Sequence, residues 1–227
     1  MTTDGNKVLF FDVNETLLDL TEVRNSVIKA LEGGDEVVSL WFEMMLHYSL
    51  VANASDEYHN FADIGTAVLQ MLAKQRGIAM NQASAEEVLQ PIRTIPPHPE
   101  VPKALEKLNA HGYRLAALTN SPREGMEQQL HNAGISTYFE RQFSVEDIGL
   151  YKPDRHVYRW AAQQMQVAPE ECLFIAAHGW DIAGAMSAGM KAAFLNRPGQ
   201  QLYPLAPNPG YIEQDLAQLA TMLTSNQ

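Results

Sequence analysis

The chain has 227 residues, 46% of them hydrophobic, which is enough for one sizeable α/β core plus an insertion and excludes a disordered chain. With Lys+Arg 16 against Asp+Glu 27, the formal net charge of -11 sets up a field that repels nucleic acid and anionic membranes. An anionic substrate would have to be met by local positive groups such as Lys152, Arg123 or helix N-termini. No apolar run approaches the roughly 20 residues of a membrane span, and polar residues 1–6 lead directly into the first strand, so the expectation is a cytoplasmic protein. The lone Cys172 lies inside Cys172-Leu173-Phe174-Ile175 and is expected to be a buried, reduced thiol.

In chain order, residues 7–11 form a continuous apolar run of the buried-strand type, which delivers a carboxylate, Asp12, into the following turn. Residues 19–95 contain no convincing β run. Stretches 37–51, 64–76 and 85–90 read as helices, punctuated by Gly33-Gly34-Asp35 and Gly77, and Pro96-Pro97-His98-Pro99 reads as a stiff return linker. The pattern predicts a helical cap (19–95) inserted after the first strand of a core made of 1–18 and 96–227. The core resumes with a helix near 103–110, a strand at 114–118, a helix over 122–133 closed by Gly134, and a short strand at 141–144. A helix over 155–165, a strand at 172–177, a helix through 182–188, a strand at 192–195 and a last helix near 212–223 follow. Right-handed βαβ crossovers make this an α/β fold with a doubly wound, mostly parallel sheet.

Four separated stretches place polar residues just after strands or at helix-opening turns: Asp12-Val13-Asn14-Glu15-Thr16-Leu17, Thr119-Asn120-Ser121, Tyr151-Lys152-Pro153-Asp154 and His178-Gly179-Trp180-Asp181. In an open α/β sheet such positions converge at the carboxyl ends of the strands. Each also has an ordinary reading: Asp12 and Asp181 as helix caps, Lys152 as a solvated surface group, His178 as a satisfied imidazole. Ser121-Pro122-Arg123-Glu124 reads as a capping box, which leaves Thr119 and Asn120 free to cradle a carboxylate, phosphate, halide or oxyanion. Lys152 beside Asp12 would be a fixed counter-charge that keeps the carboxylate ionised. Gly179 would allow close backbone approach, and Trp180 would offer an apolar wall.

Together these stretches resemble the haloacid dehalogenase-like (HAD) hydrolase superfamily, closest to its 2-haloacid dehalogenase type II branch, over nearly the whole chain. The resemblance implies a Rossmann-like core with a cap, Asp12 as nucleophile, Thr16 holding the nucleophile loop, Thr119 and Asn120 at the substrate or departing halide, Lys152 and Asp181 as catalytic partners, and Tyr158 as a substrate-side tyrosine. It also implies a small halogenated organic acid as substrate, no metal or other cofactor, and a homodimer.

The departures are informative. Superfamily phosphatases carry a second Asp where this chain has Asn14, which cannot protonate a leaving alkoxide, and Ala177 and His178 stand where further acids would help hold Mg²⁺. Dehalogenases of the branch have Tyr and Gly where this chain has Asn14 and Glu15, an Arg where it has Phe42, and Ser and Asn where it has Ala176 and His178. An apolar pocket of Phe42, Met45, Leu46, Tyr48 and Trp180 is expected in place of the cap arginine. The expected mechanism has Asp12 attack carbon while Asn14 and Asn120 face substrate and leaving anion; a water placed by Asp181 and deprotonated by His178 then hydrolyses the aspartyl ester. The alternatives are an Mg²⁺-dependent phosphatase that tolerates Asn14, and a catalytically silent binding module on the same fold.

Overall fold

The computed structural model describes residues 7–225. At its centre is a six-stranded sheet made of β1 (Val8–Phe11), β2 (Arg114–Thr119), β3 (Arg141–Ser144), β4 (Cys172–Ala176), β5 (Lys191–Leu195) and β6 (Tyr211–Glu213), in the order β3-β2-β1-β4-β5-β6. Every pairing is parallel. The central strands β1 and β4 are wholly buried, which explains why they read as unbroken apolar runs rather than alternating ones.

Connections from β1 lead outward to β2 and β3, whereas those through β4 and β5 lead the other way. Right-handedness therefore sends α5 (Val101–Ala110) and α6 (Arg123–Asn132) to one face, and α7 (Arg155–Gln164) and α8 (Gly179–Ser187) to the other. The last helix, α9 (Leu216–Ser225), packs beside α5. The topological switch lies between β1 and β4, so the loops after Phe11 and Ala176 open side by side.

Between β1 and α5 the chain forms α1 (Thr21–Leu31), α2 (Asp35–Ser55), α3 (Phe61–Gln75) and α4 (Gln82–Leu89), which pack on one another. It leaves and re-enters the sheet layer at a single place, where Asp19 N–H donates to Pro96 O at 2.8 Å and His98 N–H to Leu17 O at 2.9 Å. Among the described residues no helix is long and apolar enough to cross a membrane. Cys172 is buried and unpaired, and burial pushes its thiol up to about 12.

Several elements differ from the sequence expectation. Helix α1 was not anticipated: it buries only the narrow stripe Val23, Val27 and Leu31, with the charged Glu22, Arg24 and Lys29 interspersed. The segment at 212 opens as the three-residue edge strand β6, and α9 starts only at Leu216, with Asp215 accepting from Gln218 N–H at 2.9 Å. Helix α8 begins at Gly179 rather than 182, so Trp180 and Asp181 ride on its first turn instead of in a loop. The capping box at Ser121 and Glu124 does not form; Pro122 is the cap position, and the Arg123 N–H is satisfied by Glu146 at 2.8 Å.

That early start of α8 depends on close approach of another backbone. A Cβ at Gly179 would stand 2.3 Å from Gln201 O and 2.9 Å from Tyr203 N, both rigid main-chain atoms. Gly179→Ala is therefore expected to lower the unfolding free energy by about 1–3 kcal/mol; a urea midpoint equal to that of the wild type would contradict the packing described.

Candidate active site

The loop after β1 carries Asp12, which is almost fully buried. Its Oδ1 accepts from Lys152 Nζ at 2.8 Å, and its Oδ2 from Thr16 Oγ1 at 2.7 Å. Thr16 Oγ1 also accepts from Ala177 N–H at 3.0 Å and so stitches the β1 loop to the β4 loop. The ammonium of Lys152, with no exposed surface, donates also to Leu118 O at 3.0 Å and to Asp181 Oδ2 at 2.6 Å, so all its protons have acceptors. Asp181 Oδ1 in turn accepts from the Tyr158 hydroxyl.

These contacts set the charge states. Burial works against an ionised Asp12, but Lys152 and then His178 outweigh it and hold the carboxyl well below the usual range. Burial likewise opposes the ammonium of Lys152, yet Asp12 and Asp181 raise its pKa above the ordinary lysine value. Asp181 goes the other way: burial lifts it to about 6, with the charge of Asp12 adding to the rise against the pull of Lys152. Tyr158, buried beside Asp181, is pushed well above the ordinary phenol range and stays a neutral donor.

His178 is the residue whose state sequence could not show. Its ring is sandwiched between Phe42 and Trp180, at centroid distances of 5.3 and 5.5 Å. Nε2 lies 2.7 Å from Glu15 Oε2, and Nδ1 faces Asp12 Oδ2 at 3.4 Å, an ion-pair distance too long for a well-formed hydrogen bond. Burial disfavours the imidazolium, but the contacts with Asp12 and Glu15 outweigh it and lift His178 to about 9. At neutral pH the ring is a cation, so it cannot accept a proton from water while Asp12 is ionised.

The remaining expected site residues divide by position. Thr119 and Asn120 are buried: Thr119 Oγ1 accepts from Ser121 N–H at 3.1 Å, and the Asn120 amide brackets the Lys152 backbone, accepting from its N–H at 3.0 Å. Tyr158 lines none of the cavities described below and holds Asp181 instead. Asn14 donates to Ser121 Oγ at 3.0 Å and accepts from Gln129 Nε2 at 3.0 Å, and Gln129 also donates to Ile92 O. Gln129 and Ser121 were not anticipated as site residues, because a glutamine on a helix and a serine before proline read as ordinary surface and capping groups.

Two cavities flank this cluster. One, about 340 Å³, is lined by Asn14, Phe42, Met45, Phe61, Ser121 and Gln129, with Arg93 as its one cationic lining residue. The other, about 250 Å³, is lined by Glu15, Phe42, Leu46, His178, Trp180 and Gln200. Leu20, Val23, Trp41 and Phe42 line both, and Phe42 is stacked on His178. The single apolar pocket expected from the sequence is thus divided, and Tyr48 lines neither part, facing a separate groove with Val51 and Met71. Among the described residues no group of three or more His, Cys, Asp or Glu is arranged to hold a metal ion.

With this geometry in place, comparison with known proteins is specific. A family model described as haloacid dehalogenase-like hydrolase matches residues 6–189, and the chain belongs to that family. It is 28% identical over 216 residues to an (S)-2-haloacid dehalogenase of Pseudomonas putida, covering 95% of this chain and 96% of that protein. It is 28% identical over 206 residues to a haloacetate dehalogenase of Moraxella sp. (strain B), covering 90% and 92%. Its fold matches that of the L-2-haloacid dehalogenase from Xanthobacter autotrophicus with chloropropionic acid covalently bound, with a TM-score of 0.88 and 21% identity over 96% of this chain and 98% of that one.

The charge state of His178 has a measurable consequence for folding. Because its pKa rises from 6.5 unfolded to about 9 folded, the stabilisation it brings is fully present below pH 6.5 and is lost as pH rises through 9. The wild type is expected to lose up to about 3 kcal/mol across that window, and His178→Asn should show a flatter profile. Parallel curves for the two proteins in urea unfolding between pH 6 and pH 10 would contradict a buried imidazolium.

Proposed function

We propose that this hydrolase cleaves the carbon–halogen bond of a small 2-halogenated organic acid through a covalent ester on Asp12, without a metal. The observation that carries the reading is the buried Lys152 ammonium shared between Asp12 and Asp181, which keeps Asp12 ionised and fixed at the mouth of the β1 loop. A carboxylate held in that way is a nucleophile. At the position where a proton donor for an alkoxide would stand, Asn14 presents an amide already engaged with Ser121 and Gln129. The leaving group must therefore depart as a stable anion, and halide does so unprotonated.

The donor set also argues for metal independence. The Lys152 ammonium lies 2.8 Å from Asp12 Oδ1 and the His178 ring 3.4 Å from Oδ2, where a further positive charge would be repelled. In this reading Thr16 and Lys152 orient the nucleophile, Tyr158 and Asp181 hold Lys152, and Asn120 fixes the Lys152 backbone. Phe42 and Trp180 shape the apolar walls, residues 19–95 act as the cap over the site, and Arg93 supplies positive charge towards the acid group. That the relatives in Pseudomonas putida and Moraxella are dehalogenases of 2-haloacids and haloacetate supports the substrate class.

Asp12→Asn is expected to abolish halide release from 2-chloropropionate and haloacetates. Multiple turnovers of the wild type in oxygen-18 water should place the label in the Asp12 carboxyl, with rates unaffected by EDTA. Phosphate-ester turnover that needs Mg²⁺, or an unlabelled Asp12 after turnover, would overturn the assignment.

A further inference from the structure

Glu15 is the residue that the roles above leave unused, and three features single it out. It is not glycine, yet its φ is 60°, in the left-handed region that disfavours side chains and is kept where surrounding structure demands it. Its carboxylate accepts from His178 Nε2 at 2.7 Å and from Gln200 Nε2 at 3.1 Å, while its carbonyl accepts from the His98 ring at 3.0 Å. On the far side of the same imidazole, Nδ1 is buried and has no hydrogen-bond partner among the described residues, although it points at Asp12 Oδ2. Phe42 and Trp180 both stack on the ring, and Glu15 occupies its Nε2 edge.

We propose that Glu15 and His178 form a carboxylate–imidazole pair that drives hydrolysis of the aspartyl ester: Nδ1 of His178 takes the proton of the attacking water, and Glu15 is the positioning residue that fixes the ring and its tautomer. This rests on the ester reading of the preceding subsection and gives the second half of that reaction its base. Asp181 is poorly placed for the task, since one oxygen accepts from Lys152 and the other from Tyr158. A neutral His178 whose Nε2–H donates to Glu15 has its lone pair on Nδ1, towards the carboxyl carbon of Asp12.

The pair is silenced and released by the nucleophile's own charge. In the free enzyme Asp12 and Glu15 both touch the ring and hold it as a cation; Lys152 and Asp181 lie beyond Asp12, and the stacked faces carry no charge. Attack of Asp12 on the substrate carbon forms the C–O bond, expels halide and turns the carboxylate into a neutral ester. One of the two negative neighbours disappears, and the Nδ1 proton is lost to solvent as the acid equivalent of the overall hydrolysis. Water then adds to Cγ of Asp12 and gives its proton to Nδ1. Collapse of the tetrahedral intermediate breaks the Cγ–O bond to the substrate carbon, the departing alkoxide takes the proton from Nδ1, and the regenerated carboxyl returns its own proton to the ring.

The test is rapid-quench chloride release with (S)-2-chloropropionate, followed by intact and peptide mass spectrometry. His178→Asn should release one chloride per site in a burst, retain a propionate ester on the peptide bearing Asp12, and turn over at least ~100-fold more slowly than wild type. Glu15→Gln, which keeps the shape but not the charge, should accumulate the same adduct, and Glu15→Asp should restore part of the rate. The burst itself certifies a folded site, and Glu15→Gln carries the test should His178→Asn not fold. Wild-type turnover in both variants, or loss of the burst with no adduct in a variant whose urea midpoint shows it folded, overturns the pair but leaves the Asp12 ester standing. A wild type that forms no ester and releases no halide overturns both.

Discussion

A single ammonium with no access to water organises the carboxyl edge of this sheet. Lys152 gives its protons to Asp12, to Asp181 and to the carbonyl of Leu118, and thereby ties the ends of β1 and β2 to the start of α8. Taking such a charge out of water is costly and is offset only because every proton finds a close acceptor. The arrangement explains why the surrounding residues are so constrained: the Asn120 amide holds the Lys152 backbone, Tyr158 braces Asp181, and Thr16 fixes the second oxygen of Asp12. Remove the lysine, and the two buried carboxylates lose the charge they share, leaving Asp181 with only the neutral Tyr158 hydroxyl.

How much of this was legible in the chain follows from what each signal depends on. Asp12, Thr119 and His178 follow apolar runs that had to be central parallel strands, so their convergence came from topology alone. The six-stranded parallel sheet accordingly agrees with the α/β expectation. Helix α1 and strand β6 escaped because one buries a narrow stripe amid charges and the other is a three-residue edge strand. Glu15 and Gln129 escaped for a different reason: a polar residue acquires a role only through a partner distant in sequence, 163 residues away for the Glu15–His178 contact and 115 for Gln129–Asn14. The charge of His178 was beyond sequence for the same reason, since two carboxylates and two aromatic faces determine it.

Three of the positions at which the sequence departs from the dehalogenase resemblance lie together. Glu15, Phe42 and His178 meet in one stack beside the nucleophile, where Glu15 occupies a backbone conformation suited to glycine. Phe42 stacks on the imidazole and, with Leu20, Val23 and Trp41, lines both cavities beside it. Phe42 lies over a buried imidazole, and that ring brings positive charge to the nucleophile from the loop after β4.

The claim on which all of this rests is that Asp12 is ionised because Lys152 neutralises it inside the protein. Carbon-13 NMR titration of the Asp12 carboxyl, assigned with the Asp12→Asn variant, reads that state directly. The wild type should show no protonation step for this group near the ordinary carboxylate value of about 4, with the step moving up in Lys152→Met. A wild-type Asp12 that titrates in the ordinary range, unaffected by loss of Lys152, would contradict the account.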